Sequence, residues 1–139
     1  MVGGEGAYSV RRRCYYDPDM TLKEAIELIL SESHAGGADL PSAIRRGEDP
    51  GSERMQRLIA ALGAVFESLA GHTEINRHLA AALFTLGADV PLMVGSWASK
   101  GHVWRPAFME QEVYKLLTGV QNIFEGRVLD EGPAPPTVH

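Results

Sequence analysis

Apolar positions recur at spacings of three and four along most of the chain, the mark of helices with one buried face. The longest apolar window is LAAALFTLGADVPLMVGSWAS, from Leu79 to Ser99, whose only charge is Asp89. Gly87, Asp89 and Pro91 at its middle read as a helix break. The pattern therefore predicts two segments, one from Thr73 to Gly87 and one from Val90 to Ala98. They are expected to fold back on each other at the centre of the domain, with Asp89 capping the second.

The flanking segments carry clearer boundaries. Thr21 and Glu24 match a capping box, followed by the stripe Leu22, Ala25, Ile26, Ile29 and Leu30. Asp39 to Gly47 has room for one or two turns, with Leu40 and Ile44 inward. A third helix runs from about Ser52 to Ala70 on Met55, Leu58, Ile59, Leu62, Val65, Phe66 and Leu69, with Ser52 or Asp49 as cap and Gly71 as terminator. Gly63 inside it offers a place for another helix to approach. Pro106 fits the first turn of a last helix, about Ala107 to Glu125, striped by Met109, Val113, Leu116, Leu117, Val120, Ile123 and Phe124 and ended by Gly126.

These elements predict an all-α fold, a single-domain bundle of four to six helices over residues 21–127. Residues 1–20 read as a flexible arm or a short strand, because Tyr8, Val10, Cys14 and Tyr16 alternate. Residues 128–139 read as a Pro-rich mobile tail. A chain of 139 residues suits one domain of this kind.

Charge narrows the function classes. A net charge of −5 argues against a general nucleic-acid binder, since phosphate neutralisation needs a basic surface. The Leu79–Ser99 window approaches a membrane span in length, but Asp89 at mid-depth would cost about 2.5–3.5 kcal/mol on insertion scales. A soluble protein outside the membrane is expected. The lone Cys14 has no internal disulfide partner, and the N-terminal residues lack the apolar core of a secretory signal, so a cytoplasmic location is expected. The excess of arginine over lysine, with frequent alanine and glycine, suits a GC-rich bacterial genome.

Few residues suggest chemistry. His72, Glu74 and His78 surround the start of the central helix. Glu74 and His78 have the i,i+4 spacing of two metal ligands on one face, with Glu67 or His102 as a conceivable third. Glu24 and Glu27 read as a solvated helix face. Cys14 follows Arg11-Arg12-Arg13, which lowers a thiol pKa but supplies no base. Walker, G-x-G-x-x-G, G-x-S-x-G, C-x-x-C and H-E-x-x-H motifs are absent. The segment with the composition of a binding hot spot is Trp97, Lys100, His102, Trp104 and Arg105, although tryptophans in such a segment more often anchor a loop to the core.

The expectation from sequence is thus a small helical protein that binds another protein in an accessory, regulatory or immunity-type role, through residues 97–105. It needs no cofactor, and a homodimer is compatible with it. The alternative is an enzyme or metal-binding bundle built on His72, Glu74 and His78.

Overall fold

The computed structural model describes residues 20–34 and 36–126. The N-terminal arm or strand, Cys14 with its arginines and the Pro-rich tail lie outside the described residues. Within them the fold is all-α, five helices packed into one bundle, as the apolar spacing predicts. Helix α1 is Leu22–Ser33, α2 Leu40–Arg45, α3 Ser52–Leu69 and α4 Arg77–Ser99. Helix α5 covers residues 106–125, beginning with a wide turn, Phe108–Glu112, before its regular part, Val113–Glu125.

Local chemistry sets most of the ends. Thr21 and Glu24 form the reciprocal capping box, each side chain accepting from the other's backbone N–H. Asp39 caps α2, accepting from the Ser42 N–H at 3.1 Å, and also takes the N–H groups of Gly36 and Gly37 and the Ser42 hydroxyl. Burial works against a charged Asp39, but the bonds from Ser42 and Gly37 together outweigh it and hold its carboxyl well below the usual range. Helix α3 starts after Gly51, whose N–H is taken by Asp49, and no side chain caps the helix itself. Gly126 closes α5 in the left-handed conformation.

Helix α4 departs from expectation. It is one continuous helix without the fold-back between Gly87 and Val90. The reason lies in the turn Thr85–Asp89, which is a π turn: the Val90 N–H donates to the Thr85 carbonyl, five residues back. Proline at position 91 removes one N–H and crowds the preceding turn. Widening that turn by one residue absorbs the conflict without ending the helix. Asp89 stays helical and caps nothing. The start also moves. Asn76, not Thr73, is the cap, accepting from the Leu79 N–H.

Packing explains the glycines. The π turn of α4 lies on α5 so closely that a Cβ on Gly87 would stand 2.7 Å from Val120 Cγ1. A Cβ on Gly119 of α5 would stand 2.9 Å from Leu62 Cδ1 of α3. These close approaches seat α4 on α5 and α5 on α3. Helix α3 packs on both α1 and α5, and Met55, Leu58, Ile59, Ala61, Leu62, Ala64 and Val65 line its buried side. Helix α4 is not innermost: only 39% of its most apolar window is buried. Leu22 and Leu30 of α1 are also partly exposed, leaving Ala25 and Ile29 as the buried stripe. In α5 the wide turn rotates the stripe, so Phe108 is buried while Met109 and Phe124 face outward.

Candidate functional site

The residue 97–105 segment joins α4 to α5 and is mostly a brace. Trp104 is a core residue and not part of a surface: it is 5% exposed, and its indole N–H donates to the Val94 carbonyl at 3.1 Å. An indole brings a large apolar area inside provided its N–H finds a partner, and one turn of α4 supplies it. His102 stands edge-on to Trp104, ring centroids 4.4 Å apart, and Trp97 and Phe108 extend the aromatic row on either side at 5.2 Å. Trp97 and His102 are half-buried by this stacking, and Lys100 is exposed just after α4.

Arg105 is occupied by two carboxylates. It donates through Nε and Nη2 to Asp49 and through Nη1 and Nη2 to Glu112, at 2.7–3.2 Å. The bonds to Glu112, then those to Asp49, raise the guanidinium pKa. Arg105 in turn holds Asp49 below the usual carboxylate range against its partial desolvation, helped by the Gly51 N–H. Glu112 is almost fully buried, so Arg105 supplies the countercharge it requires there. A second pair of this kind, Arg54 with Glu32 at 2.6–2.8 Å, ties α3 to α1 and also reaches the Ala38 carbonyl. Both guanidiniums serve the fold.

The residues of the metal alternative are not brought together among the described residues. His72 and Glu74 lie in the non-helical stretch before Asn76, so Glu74 and His78 never share a helical face. His72, Glu74 and His78 are all exposed, and among the described residues no three His, Cys, Asp or Glu side chains gather to hold an ion. Glu24 belongs to the capping box, and Glu27 faces solvent on α1. His78 and His34 instead border an open cleft of about 570 Å³ between α1 and α4, with Leu30, Ala81 and Thr85.

The outer side of α4 is apolar and exposed. Phe84 is 61% exposed and Leu92 73% exposed. In a regular helix eight residues leave two side chains roughly 80° apart around the axis. The extra residue of the π turn cuts this to roughly 20°, so the two form one ridge. Exposed Ala81, Gly95 and Ser96 flank them, and Ala81 carries the ridge into the α1–α4 cleft. Asp89, exposed and without a hydrogen bond or ion pair among the described residues, sits on the same side between Phe84 and Leu92. The sequence pattern conceals this face, because a helix apolar all round reads as a central one. The telltale was Pro91, whose effect is a shift in helical phase instead of a break.

No family model, curated protein or solved structure matches this chain.

Proposed function

We propose that this bundle acts by binding another protein, in an accessory, regulatory or immunity-type role in the cytoplasm, and that α4 presents the contact surface. One observation carries the reading: two large apolar side chains, Phe84 and Leu92, stand in water on the side of a helix whose other side is firmly packed. Exposed apolar groups scattered singly need no explanation, but aligned ones with a cleft beside them mark contact surfaces. Removing them from water would stabilise a complex by roughly 1.5–3 kcal/mol for each side chain fully covered. Of the segment 97–105, Lys100 is exposed just past the end of this helix, Trp104 braces the helix from within through Val94, and Arg105 joins Asp49 to Glu112.

The test is affinity capture with the tagged full chain against the double variant Phe84→Ser, Leu92→Ser. A protein retained by the natural chain and released by the folded variant is the expected result. Equal recovery on both, or recovery only with lipid vesicles, contradicts the reading. The vesicle arm is informative because α4 is long and apolar enough to cross a membrane by length and composition.

A further inference from the structure

We infer that the partner of the α4 face carries a Lys or Arg side chain set between apolar ones, and that this cation seats on Asp89. The inference rests on the proposed function and adds the chemistry of the partner to it.

Asp89 is the only charge between Leu79 and Ser99, and the ridge of Phe84 and Leu92 brackets it. It caps no helix and makes no ion pair or hydrogen bond among the described residues. Any molecule that covers both apolar side chains also removes water from this carboxylate. An uncompensated carboxylate opposes such desolvation, and a cation delivered by the partner offsets it.

The other occupants of an apolar ridge meet this difficulty directly. A second copy packed parallel about a twofold axis sets every residue of α4 against itself, so Asp89 faces Asp89. A second copy packed antiparallel, with Phe84 of one chain on Leu92 of the other, places the axis at position 88. The two Asp89 carboxylates again lie beside it. Lipid tails offer no partner to the charge at all. A basic segment satisfies it, and the net charge of −5 on the whole chain draws such a segment in at long range. A partner helix suits the site best, since an apolar row interrupted by one long basic side chain matches a ridge interrupted by one short acidic one.

The experiment is selection of a phage-displayed library of amphipathic helical peptides, randomised at their central positions, on the immobilised full-length chain. Peptides with Lys or Arg flanked by apolar residues are expected to dominate. Selection on Asp89→Lys should reverse the preference to Asp or Glu. Selected basic peptides should bind Asp89→Asn roughly fivefold or more weakly than the natural chain. Circular dichroism of each variant establishes that α4 persists. Identical enrichment on the natural chain and on Asp89→Lys, with binding still lost in Phe84→Ser, Leu92→Ser, overturns the cation but leaves the docking face. Recovery of no peptide that depends on Phe84 and Leu92 overturns both. Light scattering that finds a dimer dispersed by Leu92→Glu assigns the face to a second copy and also overturns the inference.

Discussion

Arg105 shows how one side chain can look like a binding residue and serve the fold. Its guanidinium stands between Asp49 and the buried Glu112, and cutting it away leaves the Glu112 charge buried alone. Arg105→Ala should lower unfolding stability in urea denaturation, seen as a lower midpoint at an unchanged slope. The double variant Arg105→Leu, Glu112→Leu should recover most of that loss; a loss equal to or greater than that of the single variant would count against Glu112 as the cause. These partners were invisible in the sequence because Asp49 lies 56 positions away, and no local pattern encodes that contact. Asp39, by contrast, was legible as the start of a short helix, though not as the receiver of four hydrogen bonds. Its folded pKa lies below its unfolded value, near 4. The stability it contributes is therefore complete above about pH 4 and drains away as pH falls below that toward the depressed folded value. Asp39→Asn should flatten the slope of unfolding free energy against pH in this acid range, and an unchanged slope would show that other carboxylates control it.

At the scale of the element, α4 decides what the bundle exposes. Its helical content, its apolar character and the special position of Gly87 to Pro91 were all legible. Its continuity was not, because sequence periodicity assumes 3.6 residues per turn and a π turn breaks that count without breaking the helix. The same cause hid the outward turn of Met109 and the burial of Phe108 in α5. Ends marked by local chemistry, the Thr21 and Glu24 box and the Gly126 terminator, stood where the residues placed them. Thr73 failed as a cap because Asn76, three residues on, performs that task. Two alanine substitutions on this one helix should have opposite signs. Gly87→Ala forces a methyl group onto Val120 Cγ1 and Cβ and should destabilise by about 1–3 kcal/mol. Gly95→Ala meets nothing within 4 Å and should stabilise by about 0.5–1 kcal/mol through helix propensity. Thermal unfolding of the two variants checks both, and a stable Gly87→Ala protein would mean that the π turn does not press on α5.

Across the described residues, the five helices divide the labour unevenly. Helix α3 joins α1 to α5, the 100–105 loop braces the end of α4 through Trp104, and α2 also packs on α4. The fold class was readable because five amphipathic segments with short connections have few ways to hide their stripes. The candidate surface was not, since choosing which side of an apolar helix meets water depends on neighbours far along the chain. The proposed function stands on that choice: Phe84 and Leu92 must lie outside the core. Equilibrium urea unfolding of Phe84→Ser, Leu92→Ser measures this without any partner. A stability within about 1 kcal/mol of the natural chain is the expected result, as for exposed positions. A loss well beyond that, in the range of about 2–5 kcal/mol known for core truncations, would place both side chains inside the bundle and leave α4 no face to offer.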